Sequence, residues 1–295
     1  MKWWTKALMI FFTFAFSGLQ AKNSGLQAKE VISGGAFKSM SDFSWAVKND
    51  TIAPEKVTDG SVVFVKTDFL GDFFTKIHPQ INARYILISH HSDVPNPGKY
   101  AKYLDDPKLI AWFGQNVDYV HPKFHPIPIG AGYYLKWLVG SPQTLDRVIA
   151  KKNTYKKLHL LYMNFNPGTC RWARQAVYNM FVQKSFCSIS HRVGYLDYLN
   201  DMAQSKFVLS PRGNGLDCFR TWEAILVGAF PVVQTSLLDP LFADLPVVIV
   251  KDWNEVTEEF LNKKYEEMSH KTYNFETLYA QYWRDLIRSY ATHAP

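Results

Sequence analysis

The sequence predicts an α/β protein that reads in two halves, the second a parallel sheet covered on both faces, with a last helix free to pack back on the first half. Three observations carry that expectation. Short, β-branched, apolar runs suited to buried strands recur at 61–66, 85–89, 158–163, 206–209, 230–234 and 246–250. From residue 158 onward helical patterns separate these runs, and strands alternating with crossover helices mean a parallel sheet covered on both faces. Finally, 295 residues with 47% hydrophobic and 20% charged side chains supply enough core for two such halves. The same composition excludes a disordered chain, a collagen-like repeat and a multi-pass membrane protein, and three cysteines exclude a disulfide mini-protein.

Taken in order, residues 1–21 read as a signal peptide, with an uncleaved anchor as the lesser alternative. Lys2 and Lys6 precede an apolar stretch over 7–16 that is too short to span comfortably, and Ser17, Gly18 and Ala21 follow as small residues at a cleavage site. Gly-Leu-Gln-Ala-Lys at 18–22 recurs at 25–29, a local duplication with no functional reading. The first half, 22–155, holds strands at 61–66 and 85–89, a helical stretch near 99–113, and a Pro- and Gly-rich, strand-like crossing over 119–132. The second half, 156–272, runs strand 158–163, helix 169–183, helix 195–204, strand 206–209, helix 218–227, strands 230–234 and 246–250, and helix 254–267. The tail, 273–295, carries a helix at 276–290 that is free to return to the first half. No later segment is long and apolar enough for a bilayer, so no stable membrane span is expected once the leader is removed.

The formal charge is +7, or +5 once Lys2 and Lys6 leave with the leader, and the pI is near 9.1. That excess favours anionic partners: nucleotides, phosphosugars, acidic polysaccharides or membrane surfaces. It is too weak and too scattered for a nucleic-acid partner, since Lys151-Lys152 and Lys156-Lys157 read as solvated loops. Aromatic residues at 16% suit either sugar- and nucleotide-handling surfaces or an aromatic core. Cys170, Cys187 and Cys218 allow one bridge at most, with Cys170 and Cys187 nearest in sequence. Asn49-Asp50-Thr51 is a glycosylation sequon.

The chemistry concentrates at 207–233, which reads strand, Gly-rich loop, helix, Gly stop, strand. In a parallel sheet ligands bind outside the carboxyl ends of the strands, where the loop 210–217 must lie. Gly213 and Gly215 let the backbone turn and approach a ligand, with Asn214 and Asp217 on the same loop, and the next helix points its positive end into that space. Arg212 and Arg220 add guanidinium forks matched to phosphate oxygens. Glu223, three residues after Arg220, shares its helix face and suits ribose hydroxyls. Together they describe a nucleoside-diphosphate site.

This segment resembles the exostosin family of glycosyltransferases. The family's donor-site pattern, Phe-x-Leu-x-Pro-Arg-Gly…Arg-x-x-Glu-Ala…Gly-x-x-Pro-Val, is met by Phe207, Leu209, Pro211, Arg212, Gly213, Arg220, Glu223, Ala224, Gly228, Pro231 and Val232, and the resemblance is specific over 190–255. It implies a GT-B-like fold of two Rossmann-like halves, with a nucleotide-sugar on the C-terminal half and an acceptor on the N-terminal half. Arg212 and Arg220 would then contact the donor diphosphate and Glu223 the ribose. Asn164, Thr169 and Arg171, on the loop after strand 158–163, are further donor-site candidates. Substituting Glu223 or Arg220 by Ala is expected to abolish UDP-sugar binding and leave the fold intact.

No Asp-x-Asp occurs, so no metal or other cofactor is expected beyond a UDP-sugar as donor substrate. Position 215 is Gly where many retaining GT-B enzymes carry the first of two glutamates, which agrees with the inverting chemistry that the resemblance implies. Inversion needs a general base at a strand end of the first half. Asp93 is the first candidate there and His91 the next. The expected activity is therefore transfer of a sugar to a glycan or other hydroxyl acceptor in the secretory pathway. Two alternatives stand beside it. One is a secreted sugar- or nucleotide-binding module without catalysis. The other is a metal-dependent hydrolase using His90, His91, Asp93, His121 and His125, although Pro122 and Pro126 oppose a helix presenting the last two.

Overall fold

A computed structural model describes residues 29–132 and 141–292, so the expected leader lies outside the described residues. The first half contains α1 (Gly34–Ser39), β1 (Phe43–Trp45), β2 (Ser61–Lys66), α2 (Leu70–Asp72), β3 (Tyr85–His90), β4 (Leu109–Gly114) and β5 (Phe124–Pro126). Its five strands form one parallel sheet in the order β1-β2-β3-β4-β5. The strands carry apolar residues almost without alternation because both faces are covered. On β2, Val62 and Phe64 enter one core with Phe37, Trp283 and Ile287, while Val63 and Val65 enter the other with Leu87 and Trp112.

The second half contains α3 (Pro142–Lys151), β6 (His159–Met163), α4 (Arg171–Phe181), β7 (Cys187–Ile189), α5 (Tyr195–Ala203), β8 (Ser205–Leu209), α6 (Phe219–Leu226), β9 (Phe230–Gln234), β10 (Val248–Val250) and α7 (Glu258–Ser269). Its five parallel strands run in the order β10-β9-β8-β6-β7. The chain steps outward from β6 to β7 and then returns past β6 to β8. The loops after β6 and β8 therefore part in opposite directions and leave a crevice between them.

The last helix, α8 (Ala280–Thr292), returns to the first sheet as the sequence suggests. Trp283 packs edge-on to Phe37 at 5.8 Å, and Arg288 holds Asp42 at 2.7 Å. One expectation fails. Residues 99–113 do not form one helix: Gly98–Asp105 is a 3-10 turn and Leu109–Gly114 is the fourth strand. Pro107 pushes Asp106 to an extended backbone (ψ 129°), which ends the helix. The run Leu-Ile-Ala-Trp-Phe that follows is apolar on both faces, so periodicity alone does not mark it as a strand. Among the described residues no helix is long and apolar enough to cross a membrane, and all three cysteines are unbridged.

Candidate functional site

The Gly-rich loop after β8 sits where it does because two of its glycines lie against side chains. A Cβ on Gly215 would lie 2.9 Å from the Asn116 amide, and one on Gly213 would lie 2.9 Å from the Arg174 guanidinium. Asn116, on the loop after β4, accepts the Asp217 N–H at 2.9 Å and donates to the Ser92 carbonyl at 2.8 Å. The Asp217 carboxylate faces inward and accepts from the Ile129 N–H at 2.7 Å, the Cys218 N–H at 2.8 Å and the Trp222 indole. Burial outweighs these bonds and pushes its carboxyl up to about 6.

Glu223, on α6, is also buried. It accepts from the Gly132 N–H at 3.1 Å, the Tyr195 hydroxyl at 3.0 Å and the Tyr198 hydroxyl at 2.9 Å. Burial raises its pKa against the pull of these donors and of Arg220. Three donors leave one of the roughly four lone-pair directions of a carboxylate open.

Arg220, one turn before Glu223, spends its Nε on the Asn164 carbonyl at 3.0 Å, and its Nη1 is buried without a partner. Arg174, on α4, donates from Nε to the Arg212 carbonyl at 2.9 Å and approaches the Cys218 sulfur at 3.6 Å. Both guanidinium groups lie over the Phe165 ring, at 5.4 and 5.7 Å from its centre. Neither belongs to an ion pair among the described residues. Burial, and then the neighbouring charge of Arg220, hold the Arg174 pKa below its ordinary range. Two desolvated like charges side by side make a place where an anion is favoured.

These groups line a cleft of about 410 Å³. Of the donor-site residues expected from sequence, Asn164, Thr169, Gly213, Asn214, Gly215, Asp217, Arg220 and Glu223 all reach it. Two do not. Arg171 is exposed on the first turn of α4 and does not line the cleft. Arg212 lies on the other side of its loop, donates to the Gly213 and Asn214 carbonyls at 3.3 and 3.0 Å, and stacks on Trp172. Arg174 occupies the place expected for them. Its helical phase gave the signal, because it shares a face with Val177 and Phe181, the buried residues of α4. Tyr195 and Tyr198 were also missed, and nothing local in their sequence points to the site.

Asp93 follows β3, is exposed, and lines both this cleft and an adjoining groove of about 830 Å³ that includes Lys66, His91 and Gln115. His91 sits in the left-handed region (φ 66°), with its ring edge-on to Phe64 at 5.2 Å. Burial lowers its pKa against a hydrogen bond to the Gly34 backbone. The hydrolase constellation is not assembled. His90 is wholly buried, bonded to the Pro128 carbonyl and pushed down to about 3 by burial. His121 meets Asp105, and His125 packs between Phe113 and Tyr290. No cluster of three or more metal-ligating side chains occurs among the described residues.

Comparison with known proteins adds three findings. No curated protein matches the chain in sequence. Among solved structures, the chain is similar to the catalytic domain of starch synthase IV from Arabidopsis thaliana bound to ADP and acarbose, at 9% identity and a TM-score of 0.36, over 79% of this chain and 73% of that one. Residues 175–286 match the family model described as the RXYLT1 C-terminal domain. That segment carries α5, the Gly-rich loop, Arg220 and Glu223.

Proposed function

We propose that this protein is a glycosyltransferase that moves a sugar from a UDP-sugar to a glycan or other hydroxyl acceptor with inversion and without a metal, in the secretory pathway. The observation that carries the reading is buried Arg174 beside half-buried Arg220 over Phe165, with one buried Arg220 nitrogen unpartnered and, among the described residues, no carboxylate in an ion pair with either. The donor diphosphate supplies the missing negative charge, and its ribose takes the free lone-pair direction of Glu223. With two arginines meeting the leaving-group charge, and no Asp-x-Asp in the sequence, the residues offer charge neutralisation that needs no divalent cation. The leader expected at 1–21 supports the compartment.

Asp93 borders both the donor cleft and the adjoining groove, so it stands where an acceptor hydroxyl meets the sugar. The acceptor oxygen bonds to the anomeric carbon, its proton passes to the Asp93 carboxylate, and the anomeric C–O bond to phosphate breaks with its electron pair leaving on UDP. Calorimetric titration with UDP tests the donor site. Arg220→Ala and Arg174→Ala should each weaken binding about tenfold or more, the loss of one charge-assisted contact. Unchanged UDP affinity in both variants refutes the site. UDP binding with no transfer or hydrolysis of any UDP-sugar by the intact chain would instead indicate the non-catalytic binding module.

A further inference from the structure

Asp93 is exposed, yet the chain on either side of it is tied down, and both ties reach Asn116. Asn116 is 2% exposed and sits in the left-handed region (φ 57°), which its short polar side chain tolerates. From there its Nδ2 donates to the Ser92 carbonyl at 2.8 Å, and its backbone carbonyl accepts the Asn96 N–H at 3.0 Å. Residues 93–95, between these anchors, are all exposed. The neighbouring carboxamide holds the same segment. Gln115, also 2% exposed, donates from Nε2 to the Ser92 carbonyl at 3.0 Å and accepts the His91 N–H at 3.1 Å. A carbonyl oxygen has two lone pairs, so the two amides saturate Ser92 and fix the plane of the peptide that leads into Asp93.

The other end of the Asn116 side chain faces the second half. Its Oδ1 accepts the Asp217 N–H at 2.9 Å, and with the Ser92 carbonyl opposite, this donor decides which end of the amide is oxygen. Gly215 packs on the same group: a Cβ there would lie 2.9 Å from Nδ2 and 3.0 Å from Oδ1. One carboxamide therefore joins the segment that presents Asp93 to the loop that lines the donor cleft. Transfer needs the base within hydrogen-bond reach of the acceptor hydroxyl while that hydroxyl faces the anomeric carbon. A misplacement of about 1 Å costs about a hundredfold, and a short exposed segment does not hold that tolerance unaided. We propose that Gln115 and Asn116 are positioning residues for sugar transfer, holding Asp93 in register with the donor loop. This rests on Asp93 being the general base.

The test is steady-state release of UDP, with water in place of the acceptor. The substrate is whichever of UDP-glucose, UDP-galactose, UDP-xylose, UDP-glucuronate and UDP-N-acetylglucosamine the full chain hydrolyses fastest. UDP affinity is measured by calorimetry on the same samples. Asn116→Ala removes the side-chain bonds to Ser92 and Asp217, whereas Gln115→Met removes those to Ser92 and His91 and leaves the donor loop untouched. Each should lower kcat about tenfold or more, and Gln115→Met should keep donor KM and UDP affinity within about twofold. The same substitutions are then made in Asp93→Asn, which alone should cost about a hundredfold. There neither should cost more than about twofold further, because the group they position is gone. A merely structural role predicts the same loss in both backgrounds. Should Asn116→Ala not fold, Gln115→Met carries the same comparison. Undiminished kcat in either folded variant, or equal losses in the two backgrounds, overturns the proposal and leaves Asp93 as the base. Undiminished kcat in Asp93→Asn, or bound UDP with no hydrolysis of any of these donors, removes the base itself, and the proposal falls with it.

Discussion

Glu223 gives the sharpest prediction, because the structure reverses a simple expectation from sequence. As a ligand residue alone it would tolerate Ala. In the structure its carboxylate instead gathers the Gly132 N–H, the Tyr195 hydroxyl and the Tyr198 hydroxyl, all within 3.1 Å and all away from bulk water. Glu223→Ala strands these donors, at about 1–3 kcal/mol for each buried donor that cannot find another partner. Allowing one tyrosine hydroxyl to turn to water, the net loss should be about 3–5 kcal/mol. Glu223→Gln keeps one carbonyl oxygen for Gly132 and Tyr195, and the Tyr198 hydroxyl can rotate to accept from the new amide. Its cost should be about 1 kcal/mol. Urea unfolding, followed in parallel by circular dichroism and tryptophan fluorescence, reads the difference as a shift in midpoint at constant slope. If Glu223→Ala falls within about 1 kcal/mol of wild type, or if Gln costs as much as Ala, the carboxylate is not the buried acceptor described here.

Three further outcomes follow from the same geometry. Asp93→Asn should lower transfer about a hundredfold or more and leave UDP affinity unchanged, measured by turnover and calorimetry on one preparation. Asp217 holds its proton up to about pH 6 when folded but only to 3.8 when unfolded, so its contribution to stability is full below 3.8 and is lost as pH rises through 6. The difference in unfolding free energy between wild type and Asp217→Asn should therefore change by about 3 kcal/mol across that window, wild type gaining as pH falls; a flat difference contradicts the burial of the carboxylate. Gly130 has φ +75° and a Cβ there would strike the Ile32 carbonyl oxygen, a backbone atom that cannot swing away. Gly130→Ala should lower the melting temperature by roughly 5–10 °C in a thermal scan.

The parallel-sheet architecture was legible because the strand runs of the second half are short and bounded by Gly, Pro or Asn, so period and length agree. β4 was not legible, since a strand buried on both faces has no alternation to distinguish it from a helix, and only Pro107 marked the break. The Gly-rich loop and Arg220 were visible as a local pattern. Arg212 and Arg174 show the limit of that pattern. Sequence puts Arg212 beside Gly213 but does not say on which side of the loop its side chain leaves. For Arg174 the helical phase held the answer. The bonds from Ile129 to Asp217 and from Gly132 to Glu223 join residues 88 and 91 positions apart, and no local rule reaches that far.

Those long-range bonds, together with an apolar core that runs from Val63, Leu87 and Trp112 through to Tyr162, Val208 and Trp222, weld the two sheets into one mechanical body. A hinge motion that parted them would expose Asp217, Glu223 and much of that shared core at once. The rim of the cleft, where exposed Asp93 and Asn214 stand, already meets solvent without such a motion. Cutting the connection between the sheets would free neither as a folded fragment, because each completes the other's interior.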